Sequence, residues 1–294
     1  MGKIRKVVIP AAGFGTRFLP QTKALPKEML PVVDKPVIQY VVEEAVASGI
    51  RDVIIVTGYV KRAIEDHFDA PNAELLKNLE AAGKTELLKE ITKISEMANF
   101  IYIRQKGTYG NGTPVLSAEP VIEDEMFAVM WGDEFIYSDP PRLSQMIAVH
   151  EKYGGAVISA VRINNKEHVS RYGIADVDHV EGNVHKIKKI VEKPSPDEAP
   201  SNLATHGAYI LPPEIFDILR KQKPGTGGEI YLPEAIDALI KTGYPVYACE
   251  IENAKYFDTG NKLEYMKTVV ELGLKHPDIN GEFRKFLEEL LKQS

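Results

Sequence analysis

The chain has 294 residues, of which 44% are hydrophobic and 27% charged, and it carries a formal net charge of −6 at pH 7. That is the make-up of an ordinary globular protein, and its acidic balance argues against extended nucleic-acid contact, which calls for a basic surface. Cys249 is the single cysteine, which excludes an internal disulfide and a cysteine-built zinc site. No apolar run is long enough to cross a bilayer and no signal peptide is evident, so the cytoplasm is the expected location.

In chain order, the apolar run at 7–10 predicts a first strand that enters a Gly-x-Gly turn, Gly13-Phe14-Gly15, with Thr16 and Arg17 beyond it. Val37, Ile38, Val41, Ala45 and Val46 fall on one helical face that stops at Gly49, and residues 53–57 form the next strand. The polar, leucine-punctuated stretch 70–98 reads as one or two surface helices with a break at Gly83. Strands are expected at 100–103, 127–131 and 156–161, with a helix at 142–153 between the last two. From about 172 to 211 the pattern becomes β ribbons, at 172–177, 184–191 and 206–211. Helices at 213–221 and 232–241, a strand at 246–250 and two closing helices near 261–273 and 280–293 complete the chain. Strands alternating with helical patterns predict an α/β fold with a Rossmann-like mixed, mostly parallel sheet flanked by helices. A single domain is expected: a nucleotide half to about residue 135, a sugar half over about 136–260, and C-terminal helices from about 261.

The segment after the first strand carries the strongest chemical signal. A tight glycine turn lets main-chain N–H groups approach an anion, and Arg17 and Lys27 supply the cations that a chain of phosphates needs. Two commoner phosphate loops do not fit. A dinucleotide fingerprint requires a third glycine where this chain has Phe18, with Pro20 where the helix should run, and no Walker loop is present. Asp133 and Asp258 each follow an expected strand, the place where open α/β sheets bind ligands, and a carboxylate there suits magnesium.

The run Ala11-Ala12-Gly13-x-Gly15-Thr16-Arg17, with Pro26-Lys27-Glu28-Met29-Leu30-Pro31 downstream, resembles the sugar-nucleotide pyrophosphorylase family, above all its bacterial members that act on UTP and glucose 1-phosphate. The resemblance covers nearly the whole chain and implies the nucleotide-diphospho-sugar transferase fold, with a β-ribbon sugar-binding part. It implies uridylyl transfer from UTP to α-D-glucose 1-phosphate, with Mg2+ as cofactor, UTP and glucose 1-phosphate as partners, no nucleic acid or membrane partner, and a homodimer or homotetramer. It assigns catalysis to Arg17, Lys27 and Lys193, the metal to Asp133 and Asp258, and nucleotide contacts to Ala12, Gly13, Gly15, Thr16, Gln105 and Gly110. Sugar contacts fall to Gly173, Glu192, Lys193 and Asn202, while Glu134 carries less weight as a second metal carboxylate. The chemistry of these side chains agrees: a glutamine amide donates and accepts in one plane, carboxylates accept from vicinal hydroxyls, and ammonium groups bind phosphate. The chain departs from the family pattern at 110–115, at Tyr231 and Pro233, and at Ala208. The departures leave the phosphate chemistry intact but leave open another sugar 1-phosphate or dTTP as substrate. A sugar-nucleotide-binding regulator without catalysis is a separate alternative, and the joint presence of Arg17, Lys27, Asp133, Lys193 and Asp258 argues against it. A metal-dependent glycosyltransferase would have little use for the lysine-bearing loop after Arg17.

Overall fold

The computed structural model describes residues 3–293. Strand β1 (Lys6–Ala11) is buried on both faces, with Val7 and Ile9 in one apolar core and Val8 in the other. This is the two-residue period of a strand with helices packed on each side. The hairpin strands β2 (Pro31–Val32) and β3 (Lys35–Pro36) follow, then α1 (Val37–Ala47), β4 (Asp52–Thr57), α2 (Arg62–Phe68), α3 (Ala73–Ala81), α4 (Thr85–Glu96) and β5 (Asn99–Arg104). Next come α5 (Gly112–Ser117), α6 (Glu119–Ile122), β6 (Phe127–Met130), β7 (Glu134–Ser138), α7 (Arg142–Tyr153) and β8 (Ala156–Arg162). The remainder is β9 (Gly173–Glu181), β10 (Val184–Glu192), β11 (Leu203–Leu211), α8 (Glu214–Lys221), α9 (Leu232–Lys241), β12 (Val246–Glu250), β13 (Ala254–Asp258), α10 (Lys262–Gly273) and α11 (Asn280–Lys292).

Nine strands form one sheet in the order β5-β4-β1-β6-β11-β8-β12-β10-β9. β5, β4, β1 and β6 run parallel, so the loops that leave their C-terminal ends share one edge. β11 runs antiparallel to both β6 and β8, and it joins this parallel part to the rest of the sheet. One core lies under α1 and α7. The other lies under α8 and α9, where Phe216, Leu219, Leu232, Ile236 and Leu239 are buried. The mixed sheet flanked by helices is the fold class the sequence predicts.

Two features differ from the expected elements. The ribbons expected over 172–211 are strands of the main sheet: β9 and β10 pair with each other, and β10 also pairs with β12. Alternation marks a strand but does not name its partner. Conversely, β7 pairs antiparallel with β13 in a separate two-stranded ribbon. The strand expected at 127–131 is β6, and Gly132-Asp133 separates it from β7, a short strand outside the expected elements. Closing the chain, α10 anchors through the Tyr265 hydroxyl, which donates to the Pro31 carbonyl at 2.7 Å, and Phe283 of α11 packs against Gly273.

Candidate active site

The turn after β1 builds the first wall. Gly15 has φ +66°, and a Cβ there would stand 3.0 Å from Lys27 Cβ, so glycine serves both the backbone and the close approach. The Thr22 hydroxyl donates to the Gly15 carbonyl at 2.7 Å and pins the turn. Lys27 arches back over it, its ammonium 3.7 Å from where a Gly13 Cβ would lie. That ammonium pairs with Asp133 Oδ2. Burial alone would lower the Lys27 pKa, but the Asp133 and Glu28 carboxylates outweigh burial and hold it above the ordinary lysine range.

Behind Lys27 lies a pair that the sequence did not single out. Lys61, in the loop after β4, donates to Glu28 Oε2 at 2.8 Å, with side chains 4% and 1% exposed. Burial pushes the Glu28 carboxyl up, and the charges of Lys61 and Lys27 pull it back only in part. Among the described residues Glu28 Oε1 has no hydrogen-bond partner. A carboxylate inside Lys27-Glu28-Met29-Leu30 was the available signal, but a sequence does not show which acidic side chain turns inward.

The metal candidates meet through the ribbon. Asp258, the last residue of β13, is the register partner of Glu134, the first of β7, and Asp133 directly precedes Glu134. The Thr259 hydroxyl donates to the Asp133 carbonyl and ties the two turns together. Asp258 Oδ1 accepts from the Gly260 N–H at 2.7 Å, and Oδ2 accepts from the Asn261 amide at 3.0 Å. Its pKa rises, first from burial and then from the nearby Glu134 and Asp133 charges, against the pull of the Gly260 N–H. Glu134 lines the same cavity, but its oxygens are engaged by other side chains. The Tyr256 hydroxyl donates to its Oε2 at 3.0 Å, and His206 Nδ1 stands 3.2 Å from its Oε1. Burial opposes the Glu134 charge, yet His206, Arg142 and Tyr256 overcome it and hold the carboxyl below its usual range. Arg142 is fully buried and grips Glu44 with two bonds of 3.0 Å.

Asp133, paired with the Lys27 ammonium, and Asp258, held by the Gly260 N–H and the Asn261 amide, present carboxylate oxygens on adjacent turns, and that donor type fits magnesium. Among the described residues no group of three or more His, Cys, Asp or Glu side chains is placed to hold a metal.

Two cavities meet at Asp133. One, of about 540 Å³, is lined by Ala12, Gly13, Lys27, Gln105 and Gly110. The other, of about 840 Å³, is lined by Arg17, Gly173, Glu192 and Asp258. Asn111, Trp131 and Asp133 form walls of both. Arg17 reaches across to the Gly260 carbonyl at 3.3 Å and links the glycine turn to the Asp258 turn. A third cavity, of about 790 Å³ beside α2 and α4, has none of the candidate site residues in its lining.

Two candidates point elsewhere. Lys193 adopts φ +47°, and its ammonium, on a side chain 63% exposed, lies 3.7 Å from Glu192 Oε1. The Asn202 side chain accepts from Arg162 at 2.8 Å and donates to the Ile163 carbonyl at 3.2 Å. Neither contributes to the cavity walls among the described residues. Thr16 and Gly15 shape the turn rather than line the cavity.

Two of the departures from the family pattern touch each other. Asn111 Oδ1 accepts from the Leu232 N–H at 2.8 Å at the start of α9, with Pro233 next to it. Gly112 N–H donates to the Ile230 carbonyl, and Ile230 N–H donates to the Tyr109 carbonyl, both at 2.9 Å. The loop after β5 is therefore braced by the segment that precedes α9.

A family model described as nucleotidyl transferase matches residues 6–273. UTP–glucose-1-phosphate uridylyltransferase YngB of Bacillus subtilis (strain 168) is 48% identical over 291 residues, covering 99% of this chain and 97% of that protein. Among solved structures, a UTP-bound UGPase from Acinetobacter baumannii superposes with a TM-score of 0.89 at 40% identity, covering 98% and 99% of the two chains. A UDP-glucose pyrophosphorylase complexed with UDP-glucose gives 0.84 at 40% identity, covering 93% and 100%.

Proposed function

The chain belongs to the nucleotidyl transferase family, and we propose that its two joined cavities carry out one reaction of that family, with the triphosphate in one and the sugar phosphate in the other. The enzyme transfers uridylyl from UTP to α-D-glucose 1-phosphate, giving UDP-glucose and pyrophosphate. The observation that carries the assignment of residues is the Lys27–Asp133 pair, in which Asp133 is a wall of both cavities and Lys27 lines the smaller one.

In this reading a sugar phosphate oxygen attacks the α-phosphorus in line, and pyrophosphate departs. Two polyanions must come together, so catalysis rests on positioning and charge neutralisation, with no side-chain nucleophile. Lys27, fixed by Asp133 and backed by the Glu28–Lys61 pair, holds a preorganised positive charge against the triphosphate. The N–H groups of Ala12 and Gly13, which line the cavity, face the same anion, Gly15 and Thr16 hold the turn that presents them, and Arg17 closes that side. Asp133 and Asp258 would hold Mg2+, which neutralises phosphate charge when bound. Gln105 and the backbone at Gly110 read the uracil edge. Gly173 and Glu192 take the sugar, with Asn202 beside it and Lys193 turning in to the sugar phosphate once that anion competes with Glu192. Residues to about 135 thus form a nucleotide half, and those from about 136 to 260 a sugar half.

An exposed apolar row on the last two helices, Leu263, Met266, Phe286 and Leu291, supports a homodimer or homotetramer. The need for UTP supports a cytoplasmic location, and no described helix is long and apolar enough to cross a membrane. The test is pyrophosphate release from a panel of sugar 1-phosphates and nucleoside triphosphates with magnesium. UTP with glucose 1-phosphate should give the highest kcat/KM, and a higher value for dTTP or another sugar phosphate would overturn the assignment.

A further inference from the structure

Two large aromatic side chains stand at the mouth of the nucleotide cavity. Phe14, inside the turn between Gly13 and Gly15, is 64% exposed, and Tyr109, next to Gly110 in the loop after β5, is 62% exposed. Both line the 540 Å³ cavity with Ala12, Gly13, Gln105 and Gly110. They come from opposite lips of the cavity, and their rings touch, with centroids 5.6 Å apart and planes at 55°.

Neither ring is required to fill a core. An exposed aromatic pair at a cavity rim is an apolar surface held ready for a ligand that can cover it. The backbone beneath each ring is fixed, Gly15 by Thr22 and the Tyr109 carbonyl by the Ile230 N–H. The edge of a base is read by Gln105 and Gly110, but its face requires a flat apolar partner, and these rings are the aromatic pair in contact across that opening.

We propose that Phe14 and Tyr109 form an aromatic clasp that closes on the nucleoside of the bound triphosphate, stacking on base and ribose rather than contacting the phosphates. The inference rests on the uridylyl-transfer reading above and adds the residues that hold the nucleoside face. Because every base has a π-face, the clasp supplies affinity without choosing the base. Base choice stays with Gln105 and Gly110.

The experiment is calorimetric titration of the full chain with UTP, dTTP and inorganic tripolyphosphate. The proteins are the unaltered chain, Phe14→Ala, Tyr109→Ala, the double variant and Tyr109→Phe. Quenching of Trp131, the only tryptophan and a wall of the same cavity, gives a second readout. Each alanine variant should weaken UTP and dTTP alike, by about 5- to 150-fold, the range of a lost base stack. Tripolyphosphate affinity should not change, and Tyr109→Phe, which keeps the ring, should restore UTP binding. Unchanged UTP affinity in the double variant would overturn the clasp. So would equal weakening of UTP and tripolyphosphate, which would mark a distorted phosphate turn. So would a Tyr109→Phe loss as large as that of Tyr109→Ala, which would assign the effect to the hydroxyl. If the unaltered chain bound tripolyphosphate but not UTP, the uridylyl-transfer reading itself would fail.

Discussion

Asp258 faces Glu134 in register across the β7–β13 ribbon, and Asp133 is the next residue before Glu134. The ribbon sets two carboxylates on neighbouring turns, while Glu134 is held aside by Tyr256 and His206. Replacing Asp133 or Asp258 by Asn should lower kcat by about 10²–10³, the cost of losing one element of preorganised charge stabilisation. Chelation should abolish turnover of the unaltered enzyme, and added Mg2+ should restore it. Full activity of Asp258→Asn at limiting Mg2+ would remove that residue from the metal site.

Lys27→Ala should also lower kcat by about 10²–10³. The Asp133 carboxylate then loses its ammonium partner, so the defect should appear in kcat/KM for UTP without a comparable fall in thermal stability. Steady-state kinetics alongside a melting curve separates the two effects. A loss confined to stability would mean that Lys27 is only a structural cation.

The Lys61–Glu28 pair is buried, and removing one member strands the other charge. Lys61→Met should destabilise the fold by about 3–5 kcal/mol, whereas the double variant with Glu28→Leu should recover a large part of that loss. Urea titrations of the three proteins check it. A double variant no more stable than the single one would show that the pair is not coupled.

Gly110 has φ +117°, and a Cβ there would collide with the Ile230 backbone. Gly110→Ala should cost at least about 1–3 kcal/mol in stability and raise KM for UTP more than KM for glucose 1-phosphate, since the loop must shift beside Gln105. Equal rises in both KM values would argue that the loop does not belong to the nucleotide side.

Glu250 accepts from Arg162 at 2.8 and 2.6 Å. That bonding leads the causes that lower the Glu250 pKa below its ordinary 4.5, with burial opposing and His185 assisting. A carboxylate depressed in the fold binds fewer protons folded than unfolded, so its stabilisation is present above pH 4.5 and lost as pH falls through the folded value. Arg162→Ala should therefore flatten the acid limb of the stability curve, by about 1 kcal/mol or less for a pair this exposed, and leave pH 7–9 behaviour parallel to that of the unaltered enzyme. Arg162 also donates to Asn202, so the same variant tests whether that amide serves the sugar: KM for glucose 1-phosphate should rise.

The glycine turn, Arg17, Lys27 and the helix at 142–153 were readable because turn chemistry and the helical period are set by near neighbours in the chain. The inward Glu28–Lys61 pair and the outward turn of Lys193 were not readable, because a side chain's direction depends on what packs around it. Asn202 is a similar case: the sequence located it near the sugar segment, and the fold gave its amide to Arg162 and Ile163.

By itself the sequence determined the glycine turn with its cations, the α/β class and the two aspartates beside strands, all local patterns of residue type. Only the tertiary structure decided that those aspartates become neighbours, that Lys27 pairs with the aspartate shared by two cavities, and that Phe14 meets Tyr109 across a mouth. Each of these depends on strand pairing between segments far apart in the chain. That register is chosen by the burial of whole faces, which no short motif records.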